Sequence, residues 1–129
     1  MSKSKAELGL EIQNDIKISD WIFRWHRASK LARDYQREFK ESENHADILL
    51  LEITEIKMGK DADAVAESDE ELGGEGRYLA MVEHEEEMWR SRATFYKFAN
   101  QKEAELVHYY MDKIKTLPEF QDMNIRGSR

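Results

Sequence analysis

The sequence predicts an all-α protein: a long antiparallel helical hairpin of coiled-coil type, preceded by a short N-terminal helix and assembled into a homo-oligomeric bundle or ring. Three observations predict this fold class. Charged residues make up 36% of the 129 residues and there is one proline, a composition typical of long solvated helices. Two stretches place apolar or small residues at steps of three and four, as in helices that pack side by side. An acidic segment containing glycines separates the two stretches.

The first long helix is predicted over residues 19–58. Its apolar or small positions have a period close to 3.5, with steps of three and four nearly alternating. These positions are Ile18, Trp21, Trp25, Ala28, Ala32, Tyr35, Phe39, Ser42, Ala46, Leu49, Ile53 and Ile56. Ser19 is the predicted N-cap, and Asp20 adds negative charge to the first turn. Residues 1–18 are predicted to form a tail that includes the short helix.

The second long helix is predicted over residues 77–117, because Pro118 cannot continue it. Its stripe is more polar than the first and runs through Val82, Glu86, Trp89, Ala93, Tyr96, Asn100, Glu103, Val107, Tyr110, Ile114 and Leu117. Further apolar residues widen it, namely Leu79, Met81, Phe95, Phe98, Leu106 and Met111. We therefore expect this helix to contact more than one partner helix. Residues 118–129 are predicted to be a tail.

Residues 59–76 are predicted to be an acidic, glycine-containing loop between the two helices. Within it, residues 61–76 hold seven carboxylates and no Lys or Arg, which equals the whole formal net charge of -7. Four glycines punctuate the segment, at Gly59, Gly73, Gly74 and Gly76. Like charges and the scarcity of aromatic residues favour an extended, hydrated connection.

Composition also limits the function. The absence of cysteine excludes a disulfide framework, a Cys-ligated zinc site and a thiol nucleophile. No apolar run approaches the roughly 18 residues of a membrane span, and the N-terminus lacks the apolar region of a signal peptide, so we expect a cytoplasmic protein without membrane association. The phosphate-binding loop, the nucleophile elbow and the zinc-protease motif are all missing from the sequence. We therefore expect no enzymatic activity and no cofactor.

Self-association is expected from the aromatic content. Two long helices leave much of the aromatic set without cover, including the three tryptophans Trp21, Trp25 and Trp89. A four-helix dimer or a larger closed ring would bury such side chains. The sequence therefore predicts a homo-oligomer.

The stretch WIFRWHRASKLARDYQREFK, residues 21–40, combines cations with aromatic rings. Residues 17–40 hold seven Lys or Arg against three Asp or Glu, so the basic charge is local although the chain is acidic. Four of the cations follow each other at steps of three, four and three and share one helix face, while Arg24 and Arg27 drift off it. Cations beside rings that stack on bases are typical of proteins that bind single strands without sequence preference. The candidate nucleic-acid-binding residues are Arg24, Arg27, Lys30, Arg33, Arg37, Lys40, Lys57 and Lys60.

Three other interpretations stay open. In the first, the rings of residues 21–39 are core and the cations pair with acids of the segment EHEEEMWRSR on the second helix. In the second, the protein is a helical adaptor or inhibitor whose acidic surface binds a basic protein. In the third it is a di-iron carboxylate bundle, since such bundles use Glu-x-x-His pairs and Glu105 and His108 form one. One pair does not make a site, so no metal ligand is assigned.

The order of features resembles the UvsY family of phage recombination mediators, over residues 7 to about 115. The residues that carry the resemblance are the opening EIQNDIKIS (Glu11, Asp15, Ile16, Ile18), Tyr35, LLLE at Leu49–Glu52, the break at Gly59 and Lys60, the acidic loop, and RYL at Arg77. The resemblance implies a helical homo-oligomer that binds single-stranded DNA and contacts a RecA-like recombinase and a single-strand-binding protein, in the host cytoplasm if phage-encoded. It also implies a basic cluster just before the loop, a place that Lys57 and Lys60 occupy. The expected function is that of a non-enzymatic mediator or accessory protein of recombination or replication.

Overall fold

A computed structural model describes residues 18–118 and 120, and within them the chain is helical without a β-strand. The helices are α1 (Ile18–Lys57), α2 (Ala62–Glu71) and α3 (Arg77–Thr116). The all-α hairpin is confirmed: α1 and α3 pack side by side and run in opposite directions. Two ring contacts show this, one joining Trp21 to Tyr110 at 5.9 Å and the other joining His45 to Trp89 at 4.1 Å.

The ends of α1 and α3 lie within one residue of the predicted ends. The difference at the start of α1 changes the capping of that helix. Ile18 is already helical and half-buried, so Ser19 lies inside α1 and the predicted N-cap at Ser19 is wrong. At the same end of the hairpin, α3 stops before Pro118, as predicted. The predicted short N-terminal helix and nearly all of the C-terminal tail lie outside the described residues. In the part of the chain that is described, no helix combines the length and the apolar character needed to cross a membrane.

The chain divides into two compact units. The first takes residues up to Arg33 together with those from Gln101 onward, and the second is Asp34–Asn100. In the first unit, Trp21 is buried and has both Tyr109 and Tyr110 against its ring. The expectation that two helices leave all three tryptophans uncovered is therefore wrong for Trp21, because neighbouring rings of α3 pack on it.

The core of the second unit lies where the predicted stripes meet. Leu49 and Ile53 of α1 and Val82 of α3 form a buried cluster. Half-buried side chains pack around it, namely Ile56, Tyr78, Leu79 and Trp89. The alternating steps of three and four thus identified the packed faces, since removing these apolar side chains from water is what stabilises the hairpin.

Small side chains occupy another part of this unit, with Ala46 fully buried and Ala93 3% exposed. Ser42 is also buried, at 1% exposure, and its Oγ has no hydrogen-bond partner among the described residues. A buried hydroxyl without a partner loses its hydration and gains nothing in return, at a cost of about 1–3 kcal/mol. Ser42 therefore fits this interface by its size and is unfavourable in its chemistry.

We expect Ser42→Ala to raise the free energy of unfolding by about 1 kcal/mol, because it removes the unpartnered hydroxyl and leaves the packing nearly unchanged. Urea unfolding followed by circular dichroism measures the change. Asn44→Ala, at an exposed position of α1, is the control for the gain in helix propensity alone. A loss of stability in Ser42→Ala would contradict this account of the interface.

The acidic connection is not the extended loop that the sequence predicted, because α2 occupies Ala62–Glu71. Two glycines end helices here, Gly59 at the end of α1 and Gly73 at the end of α2. Gly59, at φ 82°, donates from its N–H to the carbonyl of Ile56, and the next residue donates to the carbonyl of Glu55. Gly73, at φ 98°, ends α2 in the same way. Both ends are Schellman motifs, which need the left-handed conformation that glycine adopts without strain.

Two hydrogen bonds of Tyr78 tie this connection to the long helices. The backbone N–H of Tyr78 donates to Asp69 Oδ1 over 2.9 Å, so a carboxylate of α2 caps the first turn of α3. The hydroxyl of Tyr78 donates to Glu52 Oε1 of α1 over 2.6 Å. This hydrogen bond, followed by burial, raises the pKa of the Tyr78 hydroxyl above its ordinary value. One acid of the connection, Asp69, is thus part of the folded structure.

Candidate nucleic-acid interface

In the first unit, Lys30 and Arg33 are the predicted site residues of α1 that are most accessible to a phosphate. Both are exposed, and neither forms an ion pair with another described residue. They lie three residues apart on a continuous helix, so their side chains point to one face. Two unpaired, hydrated cations on one face are the arrangement that contacts a phosphate backbone.

Arg37 and Lys40 continue the same spacing in the second unit, and both are exposed. Arg37 Nη2 lies 3.4 Å from Asp34 Oδ1, and the Arg37 side chain is 63% exposed. An exposed pair of this kind contributes little energy and is screened by salt, so Arg37 stays free to exchange its partner for a phosphate. Lys40 forms no ion pair within the described residues.

Arg24 and Arg27 face a different side of the first unit. They line a cavity of about 380 Å³, and its other lining residues are Ala28, Leu31, Glu103, Leu106 and Tyr110. The Arg24 guanidinium lies 5.5 Å from the centre of the Trp21 ring, within range of a cation–π interaction. A carboxylate in the same cavity makes it a poorer place for phosphate than the face that carries Lys30.

Of the predicted site residues Lys57 and Lys60, Lys60 lies in acidic surroundings. Lys60 Nζ lies 3.1 Å from Glu55 Oε1, and Lys60 lines a groove that also contains Glu52 and Asp61. Lys57 is exposed in the last turn of α1, where it also complements the helix dipole. Neighbouring carboxylates repel a phosphate, so Lys60 is the weakest part of the predicted site.

An apolar groove adjoins Arg33 in the first unit, and sequence reasoning missed it. It measures about 490 Å³ and is lined by Trp25, His26, Ser29, Ala32, Arg33, Ala104, Val107 and His108. The rings of Trp25 and His26 lie 4.8 Å apart at 58°. Trp25 is half-buried, so part of its ring stays accessible. The groove therefore offers aromatic surface next to an exposed guanidinium.

One interpretation of residues 21–40 places the rings in the core and pairs the cations with acids of the second helix. It is correct for the rings and wrong for the cations. Trp21 is buried, and Trp25, Tyr35 and Phe39 are half-buried, so these rings belong to the packed face. The ion pairs between the long helices are formed by cations of α3 with acids of α1, the reverse of the expected direction. Arg90 pairs with Asp47 at 3.1 Å, and Arg92 lies 3.6 Å from Glu38. Among the exposed cations of α1, Lys30, Arg33 and Lys40 are left without an ion pair to any described residue.

The described residues do not form the cluster of ligands that the di-iron hypothesis requires. Among them, no group of three or more His, Asp or Glu side chains is placed to hold a metal ion. Glu105 and His108 are both exposed, and His108 lines the groove beside Trp25.

Comparison of the chain with protein-family models, with curated proteins and with solved structures finds no match.

Proposed function

We propose that this protein is a non-enzymatic, single-strand-binding accessory or mediator protein of recombination or replication, which acts in the cytoplasm as a homo-oligomer. The observation that carries the proposal is the junction at Arg33. There two exposed cations, Lys30 and Arg33, neither of which forms an ion pair with another described residue, adjoin a groove lined by Trp25 and His26. Phosphates and bases alternate along a single strand, so a protein that binds both needs cations and ring surfaces side by side.

In the proposed mechanism the cations follow the phosphate backbone and the groove takes a base. Lys30 and Arg33 contact phosphates in the first unit, and Arg37 and Lys40 add contacts in the second. One unpaired base stacks on the accessible part of the Trp25 ring. None of these interactions reads base edges, so binding is tolerant of sequence.

Self-association strengthens this binding. A protomer with a few phosphate contacts binds a strand weakly, and linking several protomers raises the effective concentration of each site. The resemblance to the UvsY family supports the same picture, with a RecA-like recombinase and a single-strand-binding protein as further partners of the assembly.

A variant at Trp25 tests the stacking step. We expect Trp25→Ala to weaken binding of a labelled single-stranded oligonucleotide about fivefold, since stacking of a base on an aromatic ring contributes about 1–3 kcal/mol and this ring is only partly accessible. The slope of affinity against salt should not change, because no charge is removed. Trp25→Phe should keep the affinity within about twofold, since a smaller ring still stacks. Unchanged affinity in Trp25→Ala, measured by fluorescence anisotropy, would contradict a role for this groove.

A second candidate function rests on α2. Four of its carboxylates are exposed, namely Asp63, Glu67, Glu70 and Glu71, so the helix presents an acidic surface of fixed geometry. Such a surface suits a helical adaptor or inhibitor that binds a basic protein. This function predicts no affinity for single-stranded DNA, so the anisotropy titration that tests the first proposal also separates the two.

A further inference from the structure

Three apolar residues of α3 form an exposed stripe at intervals of seven, which we call the α3 stripe: Met81, Met88 and Phe95. They are 39%, 60% and 64% exposed, whereas Val82 and Ala93 on the packed face are 2% and 3% exposed. We propose that the α3 stripe is the self-association surface, and that it takes the α3 stripe of a second copy, antiparallel, about a twofold axis at Met88. The inference rests on the self-association in the proposed function and adds its interface and orientation.

The surface around Met88 has the form that helix pairing requires. A cavity of about 420 Å³ lies on one side of Met88, and its lining residues are Glu85, Met88, Trp89 and Arg92. Another of about 390 Å³ lies on the other side, lined by His84, Glu87, Met88 and Ser91. In both sets the spacing is i, i+3, i+4 and i+7, which is the four-residue hole that receives a side chain of a facing helix. Met88 thus lies between two unoccupied holes, and its own side chain can insert into a hole of the partner helix.

The stripe is also self-complementary. Met81 and Phe95 lie at equal distances in sequence from Met88, seven residues before it and seven after it. A twofold axis at Met88 therefore sets Met88 against the partner's Met88, and Met81 against the partner's Phe95. Every apolar member of the stripe meets an apolar member, as an isologous interface requires. Methionine is well suited to the axis, since its flexible side chain adapts to an identical neighbour.

Charge fixes the antiparallel orientation. Residues 83–87 contain four carboxylates and no Lys or Arg, while residues 88–102 contain four Lys or Arg and no carboxylate. An antiparallel pair sets the acidic segment of each copy beside the start of the basic segment of the other. A parallel pair in register sets like charges beside each other, which destabilises it. Arg92 is the nearest cation to the partner's Glu85, and its side chain is 49% exposed beside Glu38.

Another exposed apolar surface of the second unit lacks this symmetry. Ile48 and Leu51 of α1 are 66% and 61% exposed. They line a groove together with the carboxylates of Glu52, Glu55 and Asp61. Lys60 is the one cation among the lining residues, so a second copy placed there about a twofold axis would bring together two surfaces on which carboxylates outnumber cations three to one. The α3 stripe is therefore the better surface for a second copy.

Disulfide trapping tests the interface directly, because the chain contains no cysteine of its own. Met88→Cys should form a covalent dimer under mild oxidation, since the two side chains meet on the axis. Met58→Cys is the matched control, an 80% exposed methionine away from the stripe, and should remain mainly monomeric on a non-reducing gel. A mixture of Met81→Cys and Phe95→Cys chains should cross-link to each other at least fivefold more than either chain cross-links to itself. Preferential self-cross-linking of Met81→Cys would overturn the antiparallel arrangement.

A charged side chain introduced at the proposed twofold axis provides the second test. Met88→Glu brings two carboxylates together, so we expect it to halve the native mass at concentrations where the wild type is a dimer. Met58→Glu should leave the mass unchanged. If the wild type is oligomeric and Met88→Glu leaves its mass unchanged, the proposed interface is wrong while self-association stands. If the wild type is monomeric, both are wrong, and binding of single-stranded DNA is judged separately from its own titration.

Discussion

Replacing Lys30 and Arg33 together with alanine is expected to weaken binding of single-stranded DNA about 25-fold at 0.1 M salt. Each phosphate contact with a single strand contributes about 0.7 to the slope of log affinity against log salt. Loss of two contacts therefore lowers that slope by about 1.4, which corresponds to the 25-fold change at this salt concentration. The loss should be the same for oligonucleotides of different sequence, since the contacts are to phosphates. Anisotropy titrations at four salt concentrations give both quantities.

The matched control is Lys97→Ala with Lys115→Ala, which removes the same charge from exposed positions of α3. This variant has the same net charge as the Lys30 and Arg33 variant, so it reports only the general electrostatic effect. We expect its affinity to fall less than threefold. Equal losses in the two variants would mean that the affinity for DNA depends only on the total charge of the chain, and that the protein has no localised phosphate-binding face.

Replacing Ile53 with alanine is expected to lower the free energy of unfolding by about 3 kcal/mol. Ile53 is 6% exposed and lies in the buried cluster with Leu49 and Val82. Truncation removes buried apolar surface and leaves a cavity between α1 and α3 that both helices resist closing. Urea unfolding at a fixed protein concentration measures the change, since self-association makes stability concentration-dependent.

Ile48→Ala is the control for this core variant, because Ile48 is 66% exposed on the same helix. Its free energy of unfolding should change by less than about 0.5 kcal/mol. A similar loss in both variants would mean that the two positions are equally buried in solution and that the packed face of α1 differs from the one described.

The fold could be predicted from the sequence because its signals are local and repeated. The steps of three and four in both stripes identified the residues that pack, and Pro118 marked the end of α3. The charge of the acidic segment predicts an extended loop, whereas its other residues favour the helix α2. Three alanines at Ala62, Ala64 and Ala66 favour helix, and Gly59 and Gly73 provide its boundaries. Asp69 adds a capping hydrogen bond to α3 that no charge count reveals.

The candidate site could be predicted only where a single helix forms it. The spacing of Lys30 and Arg33 placed both on one exposed face of α1. The adjoining groove also needs Ala104, Val107 and His108 of α3, and their position beside Trp25 depends on how the two helices are aligned. That alignment is set by packing and by pairs such as Arg90 with Asp47, which sequence spacing does not specify. The direction of the interhelical ion pairs was wrong for the same reason.

The central claim is that the exposed cations of α1 bind single-stranded DNA by its phosphates. Equilibrium titration of the wild-type protein with a labelled oligonucleotide, over a range of salt concentrations, tests it most directly. Four phosphate contacts per protomer predict a slope of log affinity against log salt of about -3, equal for oligonucleotides of different sequence. Absence of binding at 20 mM salt, or binding whose affinity does not change with salt, would contradict the claim.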